Sequence, residues 1–235
     1  MTTALQAVFL ISFAGILGTV AIGLLSRDLQ AVVNGIGSLV ASALPTLVEF
    51  AIAFRGGAAV TFDPALSAWI AVAAFLHMLG MLGWYDTVSW WDHVTHTVSA
   101  ALLAALVYAT LQTPSALGSQ VTDGYAALFT VLFTLGAGVF WEFVELAARE
   151  LSEYIDRPPV LEYYGLRDTV LDMVFNGIGA IVVVAFDVRI FASVIEEIPR
   201  ISETVVVAST LLLVVGSFAL GFALQIVQNA ATDTE

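Results

Sequence analysis

Seven stretches of this chain each run for about twenty residues with almost no charge, the length a helix needs to cross a bilayer. In hydrocarbon every backbone N–H and C=O must find its partner inside the protein, so only helices and closed barrels span a membrane. Barrel strands alternate apolar and polar residues over about ten positions. Stretches such as 101–107 and 211–215 are apolar without alternation. The fold class expected is therefore all-α, a polytopic transmembrane helix bundle of about seven spans forming a single domain over 1–235. The spans are expected at about 4–25, 30–53, 65–85, 91–112, 124–148, 167–187 and 203–228.

Composition agrees and closes off several functions. Hydrophobic residues make up 60% of the 235 and charged residues 11%, where soluble domains run near 45–50% and about 25%. Mean hydropathy is +0.95, the opposite of a disordered chain. All seven basic residues are Arg. Without a lysine there is no retinal-type Schiff base. Twenty Asp and Glu leave a net charge of −13. That acidity argues against nucleic acid, whose phosphates recruit basic patches, and against polybasic docking on anionic lipid. An acidic, lysine-free membrane protein also hints at a halophile source. The absence of cysteine removes disulfides, thiolate metal sites and thiol catalysis. The N-terminal MTTALQ has no positive region and leads into an uninterrupted apolar run, so it reads as a first span and not a cleaved signal. The expectation is a multi-pass protein of the cell membrane whose first partner is the lipid bilayer.

Let face A be the side of the N-terminus and face B the other. Arg55, Arg189 and Arg200 fall near face A; Arg27, Arg149, Arg157 and Arg167 fall near face B. Three against four does not orient the chain by the positive-inside rule. The long connection is 149–166, and 188–202 has room for a surface helix.

Ionisable residues inside spans are costly and mark function or pairing. At 1.5 Å per residue, His96 lies about 8 Å below face B, His77 about 12 Å, and Glu142 and Glu145 about 9 and 5 Å. Asp92 opens the fourth span one turn above His96, on the same helix face. Glu142 and Glu145 are i and i+3. Asp168, Asp172 and Asn176 follow at i, i+4 and i+8, a stripe reaching about 14 Å deep. His93 points roughly 100° away from Asp92. Four helices thus bring their polar residues to the same half of the membrane, with Glu49 alone inside a span near face A.

His, Glu and Asp on facing bundle helices suit a divalent metal such as Zn or Mn. A catalytic site uses about three protein ligands and an open position. A remaining carboxylate serves as general base. The candidate catalytic residues are Asp92, His96, Glu142, Asp168 and Asp172. The candidate metal ligands are His77, His93, His96, Glu142, Glu145 and Asp172. Plainer readings stand beside these. Asp92 and Asp168 suit helix capping, and His77 a satisfied core position. Glu142 and Glu145 need protonation, a bridging cation or Arg167. Asn176 suits helix–helix glue, and Gly177 and Gly179 suit close packing. The aromatics near face B, among them Trp84, Tyr85, Trp90, Trp91, Trp141, Tyr163 and Tyr164, form an interfacial belt, and their density also suits an amphiphile headgroup.

Three blocks carry a family resemblance: Trp91-Asp92-His93-Val94-Thr95-His96; Trp141-Glu142-Phe143-Val144-Glu145; and Tyr164-Gly165-Leu166-Arg167-Asp168-Thr169 through Asp172, Asn176, Gly177 and Gly179. Their order resembles the YjdF-like integral membrane proteins of unknown function, over spans 2 to 6. It is more distantly similar to the VanZ-like group, over spans 4 to 6. That group usually has Gln where Glu145 stands. The resemblance implies where the site is and supplies no reaction.

The function expected is an intramembrane Asp/His/Glu site near face B acting, with a divalent metal, on a lipid or lipid-linked headgroup, with 149–166 as its cover. The alternatives are a proton or cation transporter or channel, which needs a polar path to face A, and a non-catalytic accessory protein whose polar cluster is structural.

Overall fold

A computed structural model describes residues 2–57, 59–156, 159–161 and 164–232. Arg157, Pro158 and Tyr163 of the long connection lie outside the described residues, as does the end of the acidic tail. Among the described residues there is no strand. The helices are α1 (Thr2–Ser26), α2 (Leu29–Phe54), α3 (Pro64–Leu79), the single turn α4 (Tyr85–Thr87), α5 (Trp91–Gln112), α6 (Asp123–Tyr154), α7 (Leu166–Ala185), the short α8 (Ala192–Glu197) and α9 (Pro199–Thr232). Seven helical segments are long and apolar enough to cross a membrane, α3 counting together with its continuation to Thr87. The expected all-α polytopic bundle is what the chain forms.

Local chemistry sets the helix starts. The Asp28 carboxylate accepts the Ala31 N–H at 3.0 Å and opens α2. Asp63 accepts the Ala65 N–H at 2.8 Å ahead of Pro64, a residue pre-shaped for the first helical position. Three boundaries depart from the expected ones. α6 runs on to Tyr154, because 149–154 contains no Gly or Pro and Arg149 pairs with Glu153 one turn away at 3.1 Å. α9 starts at Pro199, a residue disfavoured in a helix interior but well suited to the first helical position. The third span does not stay α-helical: a π turn occupies Gly80–Trp84, with Gly83 at φ +103°, a conformation that favours glycine. Only then does α4 place Tyr85.

The bundle has two halves. α1, α2 and α3 pack mutually, as do α5, α6 and α7. α3 joins the halves through α5, and α9 leans on α6. Among the described residues α2 packs on α1 and α3 and has no comparable packing against α6 or α7. α5 is central, with over half of its membrane window buried. Small residues let α7 approach it: a Cβ on Gly179 would lie 2.6 Å from the Thr97 carbonyl oxygen and 2.9 Å from the Ala101 nitrogen, both α5 backbone atoms.

The apolar core sits toward face A, where Phe62, Leu66, Tyr108, Phe133, Val183 and Phe191 are buried together. α8 is the surface helix for which 188–202 has room: Ser193, Glu196 and Glu197 are exposed, while Val194 and Ile195 anchor it in that core. At the face-A surface, Arg189 donates to Asp187 at 2.6 Å and the Tyr108 hydroxyl donates to the same oxygen at 2.9 Å. Both bonds favour the charged form, and Asp187 is held below the usual carboxylate range.

Glu49 belongs to this end as well. Its carboxylate accepts the Phe62 backbone N–H at 2.6 Å and pins the connection between α2 and α3. Glu49→Ala should therefore destabilise the protein by about 1–2 kcal/mol, the cost of a partly buried N–H left unpaired. Thermal unfolding in detergent would measure this. Metal content should not change.

Candidate functional site

The face-B half is built differently. A cavity of about 820 Å³ lies between the halves, walled by α2, α3, α5, α6 and α7. Asp92, His96, Glu145, Asp168, Asp172 and His77 all line it, and so do Asn34, Tyr85 and Asn176. Among the described residues no Arg lines it, and the chain has no Lys. Val160, Leu161 and Tyr164 line it from above, so the described part of the long connection lies over the polar end.

Three side chains meet closely. The helical spacing puts Asp92 and His96 on one face of α5, and α7 brings Asp172 opposite. His96 Nε2 lies 3.6 Å from an oxygen of Asp92 and 3.6 Å from Asp172 Oδ1. One ligand atom from each of the three falls within 4.8 Å of the others. Asp172 is 2% exposed. Its Oδ1, and Asp92 Oδ2, are buried with no hydrogen-bond partner in the protein. The capping residue of α5 is Trp90, with no side-chain bond, so Asp92 is not spent on the helix end. On its far side the His96 ring meets Asn176, with Nδ1 3.3 Å from Oδ1 of the amide. With Nδ1–H donating there, Nε2 turns toward two carboxylates. That arrangement calls for a proton, on Nε2 or on one of the two carboxyls, or for a metal ion between them. Two atoms about 2.1 Å from a tetrahedral zinc are about 3.4 Å apart, close to the spacing seen.

The other expected residues are dispersed around this trio. Glu142 is 7% exposed and lies between α6 and α7, where it accepts the Thr169 hydroxyl at 2.6 Å; its Oε1 is buried without a partner. Glu145, one turn on, faces the cavity and accepts the Trp141 indole N–H at 2.7 Å. The two carboxylates thus diverge rather than share a face. Arg167 forms no ion pair with either among the described residues; Arg149 pairs with Glu150 and Glu153. Asp168 lines the cavity one turn above Asp172.

His77 and His93 lie outside the trio. His93 stacks flat on Phe175, centroids 4.1 Å apart, and does not line the cavity. The His77 ring is held at both nitrogens, by the Tyr85 hydroxyl at 2.9 Å and by Asn34 Oδ1 at 3.4 Å. Asn34 in turn donates to the Val160 carbonyl at 2.8 Å. This series ties α3 and α2 to the segment over the cavity. Asn34 was not singled out in the sequence. An amide inside an apolar span carries the same signal as a carboxylate there, so the criterion should have included it. Tyr85, read as an interfacial aromatic, is turned inward by the π turn, and its ring lies against Gly80.

A family model described as "Predicted membrane protein (DUF2238)" matches residues 5–193, which covers α1 through the start of α8. No curated protein and no solved structure matches the chain. A likeness to VanZ-like proteins is not among the matches.

Proposed function

We propose, for a chain that belongs to the YjdF-like family of predicted membrane proteins (DUF2238), that Asp92, His96 and Asp172 hold a divalent metal ion and that the cavity presents a lipid or lipid-linked headgroup to it. The observation that carries the reading is the buried, unpartnered Asp172 Oδ1 facing His96 Nε2, whose ring is held from behind by Asn176. An acidic cluster alone would mean little. A desolvated carboxylate without a donor is costly unless it takes up a proton or a cation sits beside it, and a trio with an open position suits the cation.

Three ligands leave an open position, the pattern of catalytic and not structural sites. A bound Zn or Mn ion would polarise an ester or phosphoryl oxygen or activate water. The protein's own groups have separate tasks. Asn176 fixes the tautomer and direction of His96. Asp168 and Glu145, on the cavity wall but outside the trio, are carboxylates available to take a proton. Glu142 positions α7 against α6 through Thr169 and does not touch the occupant.

Elemental analysis of protein purified without chelators tests the metal. Near-stoichiometric Zn or Mn is expected, and protein that is folded yet free of metal would refute the reading. Asn176→Ala should weaken metal affinity by roughly 10–100-fold, the usual cost of losing the group that orients a histidine ligand; competition with a chelator of known affinity measures it.

The packing weighs against a transport pathway. Below Asn176 the halves meet through Ala104, Ala105, Leu66 and Phe62, and Glu49 is engaged by Phe62. The buried polar side chains from the floor of the cavity toward face A, such as Thr110, Thr130 and Thr134, are hydroxyls and not further Asp, Glu or His.

A further inference from the structure

The trio occupies only one end of the cavity. The deeper wall is small and mostly apolar: Gly37 and Ala41 from α2, Ala73 from α3, Leu103 from α5, and Ala137 from α6, with only the hydroxyls of Ser38, Ser99 and Thr134 among them. From Leu29, the first residue of α2, to Ala41 is about 18 Å along the helix, a little over half of a ~30 Å hydrocarbon core. The cavity is therefore acidic near face B and largely apolar, without charge, down to about the midplane, the polarity profile of one lipid leaflet. Its upper end lies beneath Val160 and Leu161, held there through Asn34. Along one side α2 is not closely packed on α6 or α7 among the described residues, and Gly37 and Ala41, which line the cavity from α2, are exposed there.

We propose that the cavity is a slot for the hydrocarbon chain of a lipid from the face-B leaflet, entering sideways between α2 and α6 with its head at the Asp92–His96–Asp172 end. The reading of the site as one for lipid-linked headgroups is needed for the head only; the chain slot stands on the cavity's shape and lining. Sideways entry explains the open seam. A chain passing from the bilayer into an apolar slot stays in apolar surroundings throughout, because lipid tails are as apolar as the wall. Lifting the same chain through water would expose every methylene, at about 0.8 kcal/mol each.

The test uses the full chain in phosphatidylcholine vesicles carrying a small share of phosphatidic acid with a mid-chain diazirine. After irradiation, adducts are mapped by peptide mass spectrometry. Wild type should be labelled on the α2 wall around Gly37 and Ala41 and on the facing stretch of α6 at Ala137. Gly37 lines the cavity and a Cβ there meets no atom within 4 Å, so Gly37→Trp has room to block the cavity at its α2 wall. It should bring cavity labelling down to the level of the unirradiated sample. Val40→Trp, at an outward position 56% exposed, should label like wild type. Should Gly37→Trp fail to fold, Ala41→Phe takes its place under the same criterion. Adducts confined to outward positions such as Leu211 and Leu212, or undiminished cavity labelling in a folded Gly37→Trp, would overturn the slot. Metal measured in the same samples separates the two readings: cavity labelling in metal-free protein supports the slot and removes only the metal.

Discussion

Asp172→Asn is expected to strip the purified protein of divalent metal while leaving it folded. The substitution keeps the shape of the side chain and removes its charge. Asp172 is almost wholly buried, and its oxygen faces the same nitrogen of His96 that Asp92 faces. Losing a charged ligand should cost more than the 10–100-fold attached to orienting partners, enough to leave no metal after purification. The melting temperatures supply a second readout. With chelator, wild type carries uncompensated buried carboxylates, and Asp172→Asn should be the more stable of the two. With metal at a hundred times its Kd, wild type gains about 2.7 kcal/mol by mass action and the order should reverse. Glu142→Gln is the control. It lies outside the trio, and its amide oxygen can still accept the Thr169 hydroxyl, so its metal should stay. If Asp172→Asn and wild type melt in the same order with and without metal, a proton and not a metal ion reconciles the two carboxylates and the metal site falls.

Gly179→Leu should be the most damaging single change on α7. A side chain there meets Thr97 and Ala101 backbone, which cannot rotate out of the way. Overpacking a tight core costs typically 1–3 kcal/mol and sometimes more; with backbone as the obstacle, about 3 kcal/mol or above is expected. The loss reaches the site, because the same α5–α7 contact sets Asp92 and His96 against Asp172. Gly177→Ala is the informative companion. Its Cβ would find only Leu135, at 3.7 Å, so the substitution should be neutral or gain up to about 1 kcal/mol of helix propensity. Unfolding in detergent would rank the two. Equal tolerance would mean that α5 and α7 do not approach as closely as their glycine contact implies.

Much of the site was legible because depth is legible. Span ends follow from apolar length, and each residue then has a height in the membrane. Asp92, His96, Asp168 and Asp172 could be placed near one face, and on common helix faces, by counting. Counting also grouped Glu142 with Glu145, where it misled. The 300° between residues three apart leaves them about 60° from alignment on a 3.6-residue helix, and at the α6–α7 seam that difference sends one carboxylate to Thr169 and the other to Trp141. His77 and His93 stood at suitable depths, yet Tyr85 and Asn34 hold the first and Phe175 stacks on the second.

The sequence by itself determined that the chain is a helical membrane bundle, how many times it crosses, and which half of the bilayer holds its ionisable groups. These follow from hydropathy and rise per residue, which are local properties. The tertiary structure alone decided which of those groups meet. It selected Asp92, His96 and Asp172 through the glycine contact that lets α7 approach α5, turned Tyr85 inward through a π turn at Gly83, and left α2 apart from α6 so that a cavity opens between them. Those outcomes depend on helix rotation and spacing, which are set by side chains distant in the chain and carry no local periodicity to read.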